Sequence, residues 1–366
     1  MISYLLAATL LFSGDLHIET TDIFQRMDVD EIAVREDGAV YILNFDESRI
    51  QYYDAEGKLI KNIGKRGQGP GEFTFPTYFR FADNHLFIYD ELSGKISIFD
   101  KEGTFLKQVT LPARGLRMVR GSGGWFTWTT EPGHGKAGQV AFSKDEFATE
   151  QNAAKLPDVV WFNQGLRINN NNGEIEGQYS PLSLAPMLAV APDGNTIYLV
   201  PDPRKFEVKV IDGATGKITG TIRKDAKPVP FDTEWAQEQF ADSAQFLKRE
   251  GIGEGKIKKN FPDFFPIIRE IRTDPKGNLV VNRWRGRPDD NDYSITLDRD
   301  GNEGDNPYSW RELQRIAGFV GSHGYVVTYD GDEAGLARVP QAEVKAFLEG
   351  HPIEDWSRSR SISISR

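Results

Sequence analysis

Apolar and polar residues alternate in short runs along most of this chain, and run after run ends in an Asp/Gly turn. The stretch Arg49 to Gly57 (RIQYYDAEG) aligns without gaps with Lys95 to Gly103 (KISIFDKEG), 46 residues further on. A third copy runs from Tyr293 to Gly301, and a looser one from Glu207 to Asp212 leads into Gly213–Gly216. Each copy reads as a strand with period-two alternation followed by a hairpin turn. Upstream of each lies a run that is apolar at every position: Val40–Leu43, Leu86–Tyr89, Ile197–Val200 and Leu279–Val281. Tight turns precede these runs at Asp37-Gly38, Asp83-Asn84, Asp193-Gly194 and Asp274 to Gly277. A further strand precedes each turn, and Pro76, Pro186 and Pro266 open three of them, where a missing N–H breaks no ladder.

The repeating unit is therefore four antiparallel strands in about 46 residues, which is one blade of a β-propeller. Six units are expected: 17–73, 74–112, 113–162, 180–226, 264–306 and 313–345. The third is blurred and carries Trp125 and Trp128. A seventh blade would have to lie in 160–180. Asn169 to Gly173 reads as a loop tip. Residues 227–263 interrupt the repeat between the fourth and fifth units. Within them Asp232 is placed to cap a helix that runs to Arg249 and stops at Gly251. Phe231, Trp235, Phe240, Ala244 and Leu247 give that helix one apolar face. The fold class is thus all-β, a six-bladed β-propeller of four-stranded antiparallel blades with one helical insertion between blades four and five. It occupies 15–350 as one domain and ends in a tail, 351–366, expected to be disordered or to supply a closing strand.

Composition narrows the partners. Lys and Arg number 44 against 54 Asp and Glu, a formal charge of −10. An acidic chain with no basic stripe is a poor ligand for nucleic acid, whose phosphates dominate such binding. There is no cysteine, which excludes disulfides, thiolate metal sites and a cysteine nucleophile. Met1 to Gly14 carries no charge, and Ile2 to Phe12 is mostly apolar. That run is too short to span a bilayer, which takes roughly 20 residues. It suits the apolar part of an export signal, so a periplasmic or secreted monomer is expected, with a cytoplasmic location left open.

Gly64-Lys65-Arg66-Gly67-Gln68-Gly69-Pro70-Gly71-Glu72-Phe73, with Pro76 after it, resembles the NHL-repeat signature, and the pattern continues through Leu86–Asp90 and Lys95–Gly103. The whole chain is similar to the bacterial six-bladed propellers related to NHL proteins. The resemblance is specific over about 30–105 and partial over 185–216 and 264–301. It implies a scaffold that binds protein or other macromolecules on one face, with a minority of enzymes among its relatives. The glycine run lacks the Lys-Ser/Thr ending of a phosphate loop and leads into no helix, so it is read as an inter-blade turn.

Candidate chemistry is sparse. The five histidines, His17, His85, His134, His323 and His351, show no metal-ligand spacing, and His85 and His323 fall at equivalent turn positions. Lactonase-type propellers hold calcium on hard oxygen ligands. The matching strand-end positions are Asn44, Asp90, Asn282 and Asp330, although a strand-end Asp also serves as a turn acceptor. No nucleophile elbow is present. A set of arginines with one tryptophan stands out. Arg80, Arg117 and Arg269 lie on expected first strands, and Arg283, Trp284 and Arg285 follow a second strand. Such groups recognise carboxylates and anchor interfaces. The leading expectation is a non-enzymatic binding propeller for a protein or anionic ligand, without a cofactor. The alternative is a metal-dependent hydrolase or lyase of the lactonase or hydroxyglycine-lyase type.

Overall fold

The computed structural model describes residues 16–19, 32–111, 114–130, 139–144, 147, 151–155, 165–171, 174–182, 184–287, 293–305, 310–330, 333–341 and 344. The chain is a six-bladed β-propeller, and six four-stranded sheets are its blades. Blade 1 combines Ile316–Val320, His323–Asp330 and Glu333–Pro340 with Leu16–Glu19, which pairs antiparallel with the last of the three. Blade 2 is Ile32–Val34, Val40–Asn44, Arg49–Tyr53 and Leu59–Ile63. Blade 3 is Pro76–Ala82, His85–Asp90, Lys95–Asp100 and Phe105–Thr110. Blade 4 is Arg114–Gly121, Gly124–Thr130, Gln139–Ser143 and Gln151–Lys155. Blade 5 is Met187–Val190, Thr196–Val200, Glu207–Asp212 and Ile218–Arg223. Blade 6 is Ile268–Thr273, Leu279–Arg283, Ser294–Leu297 and Glu303–Gly304.

Two expectations change. Residues 16–19 do not belong with the strands that follow them but complete a sheet made from the far end of the chain. Counted from that sheet, the helix α1, Thr233–Arg249, lies between blades five and six and not between four and five. Among the described residues, 165–171 and 174–180 supply no seventh blade, and 160–164 lie outside the described set. The two described segments form the hairpin Gly165–Asn171 and Glu174–Ser180, whose second strand pairs in parallel with Ile257–Lys259. The Asn169–Gly173 segment is therefore strand as far as Asn171. Residues 1–14 and 351–366 lie outside the described set.

The chain divides into two compact units, Met1–Arg114 with Pro307–Arg366, and Gly115–Asn306. In the first unit, Val40 and Ile42 of blade 2 meet Tyr325, Val327 and Leu336 of blade 1. The alternate residues Tyr41 and Leu43 pack with Leu86, Ile88 and Phe99 of blade 3. Both faces of such a second strand are covered, which is why Val40–Leu43 is apolar throughout. The outer strand Leu59–Ile63 is exposed along most of its length. Polar ties cross the same seam: the Tyr41 hydroxyl, Arg35 beside it, donates to the Lys101 carbonyl at 2.5 Å. Burial pushes the Tyr41 hydroxyl up to about 12, so it stays a donor. The inter-blade glycine run is structural. Phe73 is fully buried, its N–H donates to Lys65 O, and the Gly69 N–H donates to the Glu72 carboxylate.

The second unit repeats the scheme. Ile197, Leu199 and Ile211 of blade 5 meet Val119, Phe126 and Phe142 of blade 4. Tyr198, Val200 and Val208 meet Ile268, Leu279 and Val281 of blade 6. The Tyr198 hydroxyl donates to Gly277 O across that second seam. Blades 4 and 5 also join backbone to backbone. The amides of Ser122 and Gly123 donate to Gly194 O and Gly213 O, and within blade 5 the Gly213 N–H donates to Asn195 O. A methyl at Gly213 would lie 1.9 Å from the Gly194 carbonyl oxygen. The Gly213→Ala variant should therefore lose roughly 1–3 kcal/mol, or more, through overpacking of rigid backbone. Gly304→Ala, which meets no atom within 4 Å, should be nearly neutral. Thermal unfolding of the two variants side by side checks this.

Candidate functional site

The second strand of blade 6 ends at Arg283, and the chain then leaves the sheet through Trp284 and Arg285 and bends at Gly286 and Arg287. What surrounds this segment comes from the insertion. Asp232 caps α1, its carboxylate accepting the Trp235 N–H at 2.9 Å. The cap fixes the start of a helix whose apolar stripe splits in two. Phe240 and Leu247 pack against Tyr179 and Ile257 of the side sheet. Trp235 and Ala236 pack with Leu182 and Phe265, and Phe231, Phe261 and Trp284 border them. The Trp284 ring stacks on Phe265 with centroids 5.3 Å apart and lies 6.4 Å from Trp235. Trp284 is thereby held half-buried, with one guanidinium on it: Arg269, exposed, sits 4.9 Å from its ring centroid.

Arg283 and Arg285 differ in their surroundings. Arg285 is exposed, 4.7 Å from the Tyr293 ring. Arg283 is half-buried, 5.8 Å from the Phe206 ring, and its Nε is buried without a hydrogen-bond partner. Burial, and then repulsion from Arg285, pull its pKa below the usual arginine value, against the pull of Glu303. Among the described residues Arg283 forms no ion pair. A buried unfilled donor costs about 1–3 kcal/mol, more for a charged group. Arg287, by contrast, is fully engaged, its Nε 2.5 Å from Asp232 Oδ2, with Glu234 and Glu238 at 3.5 and 3.6 Å.

The other expected site residues separate from this group. Arg80 lies in blade 3, in the other unit, with its guanidinium 4.0 Å over its neighbour Tyr78 and a bond to Phe79 O. It is used inside its own blade. Arg117 lies on the backbone of Arg114–Gly121, and its side chain is outside the described set. Two of the calcium candidates build turns. Asp90 accepts the amides of Thr74 (2.5 Å), Phe75 (3.3 Å) and Ser93 (3.1 Å), and Asn44 accepts the Glu47 amide. Asn282 is buried, reaches only Ser294 Oγ at 3.4 Å, and leaves its Oδ1 without a partner. Asp330 ends the strand His323–Asp330, and its side chain is outside the described set. Among the described residues no three His, Asp or Glu side chains converge on a metal-sized site. His85 and His323 open second strands, at equivalent places.

Phe206, Phe265 and Tyr293, which support the site, escaped the sequence reading, as did the partnership of Asp232 with Arg287. The one local signal was the aromatic run at Phe264-Phe265 next to Pro266.

A family model described as a 6-bladed beta-propeller, DUF5128, matches residues 16–157. Solved structures of similar architecture include a Bacteroides fragilis protein provisionally classed as exported. It is 13% identical, with a TM-score of 0.49 over 89% of this chain and 94% of that one. A gluconolactonase of Xanthomonas campestris is 12% identical, with a TM-score of 0.44 over 87% and 88%. The virginiamycin B lyase of Staphylococcus aureus is 12% identical, also at 0.44, over 88% and 98%. At these identities the likeness is one of fold. No curated protein matches the chain by sequence. Among the described residues no helix is long and apolar enough to cross a membrane.

The Arg287 side chain and then the Trp235 amide hold the Asp232 carboxyl below the usual carboxylate range. Its stabilising effect is therefore complete above the unfolded value of roughly 3.9 and fades as pH falls through the lower folded value. Protection of the first-turn amides of α1 against hydrogen exchange should fall over that acid window. At neutral pH the Asp232→Ala variant should already show the loss, with the amides of blade 5 unchanged.

Proposed function

We propose that this protein is a non-enzymatic recognition propeller whose ligand surface is the arginine–tryptophan group at the end of the second strand of blade 6. Its ligand is an acidic segment of a protein or another carboxylate-bearing macromolecule. The observation that carries this reading is Arg283, a half-buried guanidinium with a buried, unfilled Nε and no ion pair among the described residues. A carboxylate binds a guanidinium fork in a bidentate way, and a turn of the Arg283 side chain that brings its buried Nε out to the ligand would fill that vacancy. Trp284 supplies an aromatic anchor that is already fixed by its stack on Phe265, so little side-chain freedom is lost on binding. Arg269 and Arg285 add exposed positive charge on either side in sequence, on a chain that is acidic as a whole. That local inversion of sign would steer an anionic partner to this place.

The glycine run of 64–73 and its likeness to the NHL signature fit a binding scaffold. The apolar run of residues 2–12 suits delivery to the bacterial envelope or beyond, where the propeller would act as a monomer without a cofactor. Arg80 and Arg117 are not part of the proposed surface.

Titration calorimetry with hexaglutamate and hexalysine tests the reading. Hexaglutamate should bind and hexalysine should not, with affinity falling as salt rises. The Arg283→Ala variant should weaken hexaglutamate at least about tenfold, as expected when a desolvated charge loses its partner. Equal binding of both peptides, or an Arg283→Ala variant that binds like the parent, would sink the proposal.

A further inference from the structure

Trp284 and Arg287 tie the segment between them to α1 at both ends. Trp284 leans on Trp235 and Phe265. Arg287 reaches the cap residue Asp232 and the acids Glu234 and Glu238. Between the ties lies Gly286, at φ 134°, where a methyl would meet no atom within 4 Å. The glycine is there for its backbone freedom, since packing alone would admit a side chain. A free segment of this kind would wander, and Arg285 with it. Each single contact of Arg287 is exposed and weak by itself. One guanidinium fork shared by three acids at a helix N-terminus is better placed, because its five donors are fixed in one plane.

We infer that Arg287 is a positioning residue: by gripping the first turn of α1 it fixes the Trp284–Arg285 segment in the geometry that receives the ligand. The inference rests on the recognition surface proposed above. It assigns the inserted helix a task, as the clamp that holds the recognition segment in place. The same grip keeps the acids of α1 occupied, so that they neither cover Arg285 nor repel an anionic ligand.

Two measurements on the full chain test this, and the first needs no ligand. In hydrogen exchange, Arg287→Gln should lower protection in the first turn of α1 about tenfold, the scale of a local opening that costs one coupled interaction. Tm should hardly move, since no seam between blades is touched. In hexaglutamate titration, the dissociation constant should rise about three- to tenfold, within the range of coupling through a neighbouring charge. Arg287→Lys keeps the charge but not the fork, and should fail to restore either readout. Unchanged exchange in Arg287→Gln, or full restoration by lysine, overturns the inference. If the parent does not bind hexaglutamate at all, the recognition surface fails, and exchange alone then decides whether Arg287 grips the helix.

Discussion

A four-stranded blade has two faces, and in this chain the inner strands are apolar on both. Val40 and Ile42 face one way, Tyr41 and Leu43 the other, and all four are buried. No sheet of this size can shelter both faces by itself, so each blade is stable only between neighbours. The seams between blades 1 and 2, 2 and 3, 4 and 5, and 5 and 6 follow from this one requirement. So do the tyrosine bonds that cross three of them, from Tyr41, Tyr198 and Tyr325 to turns of the next blade. Their hydroxyls are satisfied by backbone carbonyls, which lets large amphipathic rings fill the seam without leaving a polar atom stranded.

The same stacking decides where function can reside. Side chains in the seams are committed to packing, and the outer strands of blades 2, 3, 5 and 6 are partly or largely exposed. Loops at strand ends are free of both duties, and the insertion after blade 5 builds a platform beside one such loop. On blade 6 the platform brings Phe265, Trp235 and the cap of α1 up to Trp284 and Arg287. At Arg283, directly at the edge of the seam with Phe206, the packing ends and leaves one guanidinium nitrogen without a partner.

Much of this was legible in the residues. Apolar runs at every position signalled strands buried on both sides, and the Asp/Gly turns marked the hairpins. Asp54, Asp100, Asp274 and Asp298 each accept two amides of their own turn. The helix was readable from Asp232 to Gly251, because a cap, a stripe and a stop are all local. Pairings between distant segments were not readable. Leu16–Glu19 joins Glu333–Pro340 across almost the whole chain, and Glu174–Ser180 joins Ile257–Lys259 in parallel. Neither partner carries a mark of the other, since strand pairing uses backbone groups that every residue has. The helix was accordingly assigned to the wrong blade interval. In the site, Arg283, Trp284 and Arg285 were found because they follow a second strand. Arg80 fits the same rule by sequence, yet stacks on Tyr78 in its own blade, a local competition that spacing does not reveal.

The central claim is that the Arg283 Nε–H is unpaired in the free protein and takes a carboxylate when ligand arrives. Arginine-detected nuclear magnetic resonance reads that group directly. The account predicts an Nε–H signal for Arg283 at the chemical shift of a guanidinium without a hydrogen bond in the free protein, which then moves when hexaglutamate is added. A signal already at a hydrogen-bonded shift before addition, or one that hexaglutamate leaves unmoved while other sites respond, would contradict it.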